Sequence, residues 1–113
     1  MSVEISTRLF GAVTVVELAG RLTLGNPTKD TEDRVKALIA GGSVRVVVDL
    51  AKLDFADSAG IGTMVACAGA AMEAGAQLRY AGANDRVKQV LKMTRVDKIL
   101  SLHPNLDAAL KDF

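Results

Sequence analysis

A chain of 113 residues has room for one domain, read here as the whole span 1–113, and half of its residues are apolar, enough for a core without staples. Fourteen Lys and Arg against thirteen Asp and Glu leave a net charge of +1, spread along the chain, which argues against a nucleic-acid partner. One cysteine, one histidine and 4% aromatics exclude an internal disulfide and leave too little for a Cys- or His-based metal site or a base-stacking platform, so neither metal nor cofactor is expected.

The N-terminal run Met1-Ser2-Val3-Glu4-Ile5 lacks the basic-then-apolar pattern of a signal peptide, and no segment approaches the roughly 18 apolar residues of a membrane span. A cytoplasmic protein with no membrane partner is the expectation. Val3, Ile5, Thr7 and Leu9 alternate with polar residues and predict a half-buried strand; Gly11-Ala12 breaks it, and Val13–Leu18 returns as the second arm of a hairpin. Asn26-Pro27 reads as a helix start, with Asn26 as cap and proline at the first helical position. Thr31, Val35, Leu38 and Ile39 then form one helical stripe, ended by Gly41-Gly42, while Lys29–Arg34 mixes charge signs as a solvated face does. Val44–Leu50 is almost wholly apolar or β-branched and predicts a central strand covered on both faces.

Ala51–Gly62 (AKLDFADSAGIG) reads as a linker into a helix that runs to about Ala74. Leu78 and Tyr80 mark a short strand, Asn84 caps a helix containing Val87, Val90 and Leu91, and Ile99-Leu100 suggests a last edge strand. Pro104-Asn105 precedes a terminal helix with Leu106, Ala109, Leu110 and Phe113. The order predicts an α/β fold: a single small domain with a mixed, mostly parallel sheet of about four or five strands, layered with about four helices.

Asp54–Gly62 holds the candidate chemistry. Ser58 stands where a helix begins, and free N–H groups and the positive end of the helix dipole favour an anion there. The plainer role for Ser58 is helix cap, and for Gly60 and Gly62 close helix–sheet packing. Neither role accounts for Ala59–Met72 (AGIGTMVACAGAAM), which carries no charge and one polar residue, Thr63. A surface helix should show a polar face. Its own domain covers it all round, or its outer face meets a partner.

The strand VVVDL, the linker AKLDFADSAGIG and the helix behind it resemble the STAS-domain anti-sigma-factor antagonists. The family's motif stands here as Asp57-Ser58-Ala59-Gly60-Ile61-Gly62. The early hairpin, Gly20-Arg21-Leu22 after the second strand, the strand near Leu78–Gly82 and the closing Asp107-Ala108-Ala109-Leu110 agree in kind, so the resemblance covers nearly the whole chain. It implies a phosphorylation switch. The partner is an ATP-binding serine kinase that is also the anti-sigma factor; the unphosphorylated form binds it and releases the sigma factor, and a phosphatase restores that form. Ser58 is the matching acceptor, and Asp57, Ala59, Gly60, Ile61, Gly62 and Thr23 are the implied partner-binding residues. Ala59 replaces a second serine common in the family, and Thr23-Leu24 stands where many members carry an acidic residue.

Other readings fare worse. Ala56-Asp57-Ser58-Ala59-Gly60 is one residue from the Gly-x-Ser-x-Gly elbow of serine hydrolases, but His103 is the one histidine available for a triad. A receiver domain could draw on Asp49, Asp54 and Asp57 for magnesium, yet the first strand ends in Leu9-Phe10 rather than an acidic pair. The same domain type also serves as a scaffold subunit of stress-signalling assemblies and as a regulatory piece tied to transporters. Cys67 reads as a small core or interface residue rather than a reactive thiol.

Overall fold

The computed structural model describes residues 3–113; Met1 and Ser2, part of the segment read against a signal peptide, lie outside them. β1 (Val3–Phe10) and β2 (Val13–Leu22) form an antiparallel hairpin around Gly11, whose φ of +59° suits a residue without a Cβ. The predicted alternation in β1 holds only at its start. Val3 and Ile5 pack on the core, whereas Leu9 is 72% exposed at the far end of an edge strand.

Three parallel strands follow β2 in simple order: β3 (Arg45–Ala56), β4 (Gln77–Ala81) and β5 (Leu102–His103). The crossovers are α1 (Asn26–Ala40), α2 (Ser58–Glu73) and α3 (Asp85–Met93), the last followed by a 3₁₀ turn at Val96–Lys98; α4 (Leu106–Leu110) closes the chain. Right-handed crossovers that always advance in one direction place their helices on one face of the sheet. That face holds the main core, where Val16, Leu18, Val48 and Leu50 meet Val35 of α1, Met64 of α2 and Leu91 of α3. On the opposite face Val13, Val15 and Val47 meet Ala109 of α4. The apolar run of β3 is thus buried from both sides, as its composition predicts.

The structure departs from the sequence reading at further places, and β2 itself runs on past Leu18 to Leu22. Ala51–Ala56 is not a linker but the second half of β3. Two register shifts, each with one extra residue in β3, keep the strands paired as far as Leu22 opposite Ala56, and Leu53 and Ala56 are buried. Asn26 does not cap α1: Gly25, at φ +111°, occupies that position without a side-chain bond, and Asn26 is already helical. Ile99-Leu100 lies outside the last strand, which forms two residues later at Leu102–His103. The cap read at Asn84 does form, and Asn105, read only as preceding the terminal helix, caps it; each side chain accepts from the backbone amide three residues on, Val87 and Ala108 respectively, at 2.8 Å.

Candidate functional site

The site is built where β2 and β3 end side by side. The Asp57 amide donates to the Leu22 carbonyl at 3.2 Å, so the chain turns out of the sheet at a fixed point. Asp57 is extended, and its Oδ1 accepts from the Gly60 amide at 2.8 Å. Asp57, not Ser58, is therefore the N-cap of α2, and the plainer role assigned to Ser58 falls away. Its other oxygen, Oδ2, accepts from the Leu24 amide at 3.0 Å and ties the loop after β2 to the start of α2.

Ser58 is the first residue of α2 and is exposed. The amides of the first helical residues lack intrahelical acceptors, so a charge added to the Ser58 hydroxyl would sit at the positive end of a 16-residue helix. From Ser58 the outward face of α2 continues through exposed Gly62, half-buried Val65 and exposed Gly69 to Met72, which is 80% exposed. The rest of the helix is covered by its own domain: Ile61, Met64, Cys67 and Ala71 are buried. The uncharged helix is thus mostly core, with one narrow, uncharged outer stripe.

Two residues implied as partner contacts point inward. Ile61 is 3% exposed and belongs to the core. A Cβ on Gly60 would stand 2.2 Å from the Leu22 carbonyl oxygen, so its close neighbour is the domain's own backbone. Gly62 differs: nothing lies within 4 Å of the position its Cβ would take. Thr23 and Ala59 are half-buried at the surface. Leu24, absent from the implied contact set, is 78% exposed beside them. Its signal in the sequence was an apolar side chain in a loop next to glycine.

A second set of contacts braces the end of β3. Asn84 Nδ2 donates to the Leu53 carbonyl at 3.1 Å and the Asp54 carbonyl at 3.2 Å, anchoring the start of α3 there. The guanidinium groups of Arg21 and Arg86 lie over the Phe55 ring, 5.0 and 5.4 Å from its centroid. Exposed arginine–aromatic contacts of this kind contribute about 0.5–1 kcal/mol each.

The residues of the rival chemistries are not brought together. His103 pairs across Ala81 with the level of Asp49 on β3, and β3 then runs on to Ala56 before Ser58 is reached. At about 3.3 Å per residue that is roughly 20 Å along the strand, and the His103 ring bonds Ser101 Oγ instead, at 3.0 Å. Asp49 is buried, its Oδ1 accepting from the Ala51 amide at 3.0 Å. Among the described residues no group of three His, Cys, Asp or Glu side chains could hold a metal ion, and no helix is long and apolar enough to cross a membrane. Burial pushes the Cys67 thiol up to about 12, away from the reactive thiolate.

A family model described as Mlab, STAS domain matches residues 5–103. Among solved structures, a candidate anti-sigma factor antagonist from Thermotoga maritima superposes with a TM-score of 0.87 at 17% identity, over 96% of this chain and 92% of that one. An anti-sigma factor antagonist from Mycobacterium paratuberculosis gives 0.80 at 23% identity, over 96% and 92%. The Bacillus cell-fate determinant SpoIIAA in its phosphorylated form gives 0.72 at 13% identity, over 95% and 96%. At these identities the structural likeness speaks for the fold.

Proposed function

This chain belongs to the STAS-domain family, and on that footing we propose that it is an anti-sigma-factor antagonist switched by phosphorylation of Ser58. The unphosphorylated form binds a serine-kinase anti-sigma factor, which then releases its sigma factor. Phosphorylation of Ser58 by that kinase ends the binding, and a phosphatase restores it. The protein is the kinase's substrate and not itself an enzyme.

One observation carries the reading: Ser58 is exposed at the first position of α2 while Asp57 fills the cap. The hydroxyl has no structural duty at the cap, so it is free to be modified without unwinding the helix. A phosphoryl group adds about −1.5 to −2 charges. The helix end favours it by about 0.3–1 kcal/mol at an exposed site, which keeps the modified fold intact. The Asp57 carboxylate next to it repels it, and so does any apolar or acidic partner surface laid over the uncharged stripe of α2. A few kcal/mol of repulsion and desolvation weakens a complex about 100-fold or more. Thr23, Leu24, Asp57, Ala59 and Gly62 form the contact surface, and Gly60 and Ile61 hold it in shape from within.

The test is a pull-down from the native extract with wild type, Ser58→Ala and Ser58→Asp, partners identified by mass spectrometry. Wild type and the alanine variant should retain an ATP-binding, kinase-like protein that the aspartate variant loses. If all three retain the same large assembly, the domain is a scaffold subunit and Ser58 is no switch.

A further inference from the structure

A cavity whose lining shares no residue with the Ser58 site lies where α3 and the 3₁₀ turn meet the ends of β4 and β5. Its volume is about 350 Å³, within the range of small-molecule sites. The floor is apolar and rigid: Leu50 and Leu91 are fully buried, and Tyr80 is held by its hydroxyl donating to the Met64 carbonyl at 2.7 Å. Small residues, Ala81 and Ala83, leave the space unfilled, and half-buried Leu102 and exposed Pro104 wall it on the β5 side.

The polar lining is unequal in sign. Lys88 and Lys92, one helical turn apart on α3, both line the cavity and are exposed. Among the described residues neither is in an ion pair, whereas Lys29, Lys36 and Lys52 all are. Asp97 is the one acidic side chain in the lining, and the His103 ring is engaged by Ser101. Two cations one turn apart above an apolar floor suit a ligand with an anionic end and an apolar body.

We infer that this cavity is a binding site for a small amphipathic carboxylate, with its apolar body on Leu50, Tyr80, Leu91 and Leu102 and its carboxylate between Lys88 and Lys92. At about 30 Å³ per water-sized group, the cavity admits roughly a dozen non-hydrogen atoms, the size of a ten-carbon fatty acid. The site is separate from the Ser58 surface, so its occupancy does not depend on the antagonist reading.

The test is amide NMR titration of the full chain with decanoate, decan-1-ol and decylammonium, each below its aggregation limit. Decanoate should shift the amides of Ala83, Leu91 and Leu102 saturably, and bind about tenfold tighter than decanol, the equivalent of roughly 1.4 kcal/mol. Decylammonium should bind more weakly than either. The Lys88→Gln, Lys92→Gln double variant, altered only at exposed positions, should keep the remaining spectrum and bind decanoate no better than decanol. Absence of saturable shifts, shifts centred elsewhere, equal affinity for the three probes, or a double variant that still prefers decanoate would overturn the assignment.

Discussion

Leu24 and Asp57, 33 residues apart in the chain, are joined by a 3.0 Å hydrogen bond from the Leu24 amide to Asp57 Oδ2. Because Oδ1 of the same carboxylate caps α2, one side chain sets both the helix start and the neighbouring loop. Asp57→Ala removes both bonds and should cost about 2 kcal/mol, a cap plus one charge-assisted bond discounted for its exposure. Asp57→Asn keeps one carbonyl oxygen, enough for the cap, while its amide nitrogen cannot accept from Leu24. The asparagine variant should therefore unfold near the wild-type urea midpoint but exchange the Leu24 amide faster. Equal Leu24 exchange in wild type and both variants would show that the tether has no effect on the loop.

Gly60 and Gly62 look alike in the motif and should respond oppositely to alanine. At Gly60 the new Cβ meets the Leu22 carbonyl at 2.2 Å, so α2 must move away from β2. Overpacking of this kind costs about 1–3 kcal/mol. At Gly62 the space is open, and replacing a mid-helix glycine by alanine gains roughly 0.5–1 kcal/mol. Thermal denaturation of the two variants should move the melting temperature in opposite directions. Gly62→Ala should nonetheless weaken partner binding, since it places a methyl group on the outward stripe.

The order of strands and helices was legible because periodicity and caps are local signals. The Thr31, Val35, Ile39 stripe, the VRVVVDL run and the side chains of Asn84 and Asn105 each act within a few residues of themselves. What escaped reading depends on contacts across the sheet. AKLDFA has too mixed a pattern to read as a strand, because two bulges in it break the alternation, and it is one because the end of β2 pairs with it up to Ala56. Asp57 and Ser58 are adjacent and both good caps. The choice falls to Asp57 because its second oxygen meets the Leu24 amide, a partner from another strand's loop. Gly60 likewise owes its glycine to the Leu22 backbone, which no spacing rule within the motif contains.

Arg79 on β4 fastens the C-terminal segment. Its guanidinium donates to the carbonyls of Ala109 at 2.9 Å, Lys111 at 2.7 Å and Asp112 at 3.2 Å, and lies 4.0 Å from the Phe113 ring centroid. α4 has only five residues and would not persist alone. Lysine offers a point charge without the planar fork, so Arg79→Lys should lose most of this set, about 2 kcal/mol after allowance for solvent at the exposed bonds. Amides of Ala108 and Ala109 should lose exchange protection in the variant while those of β3 keep theirs. Uniform loss across both would mean that α4 and the sheet unfold as one unit.

Alkaline pH should destabilise the fold through two buried acids. Burial raises the Cys67 thiol to about 12 from 9.0, and burial likewise lifts the Tyr80 hydroxyl well above 10.0. In each case the folded state holds its proton more tightly than the unfolded chain. Below pH 9 both groups are protonated in both states, and neither makes stability depend on pH. As pH rises past 9 the unfolded chain begins to release the Cys67 proton, and past 10 the Tyr80 proton, while the folded state still holds both. Stability then falls by up to about 1.4 kcal/mol per pH unit for each group, until the folded state titrates in its turn. Urea midpoints measured between pH 8 and 11.5 should stay level to about pH 9 and decline thereafter. Cys67→Ala should delay the onset by about one unit, to the point where tyrosine begins to titrate in the unfolded chain. An unchanged onset in that variant would assign the alkaline loss to surface lysines instead, whose ion pairs with Asp33 and Glu32 weaken as they discharge.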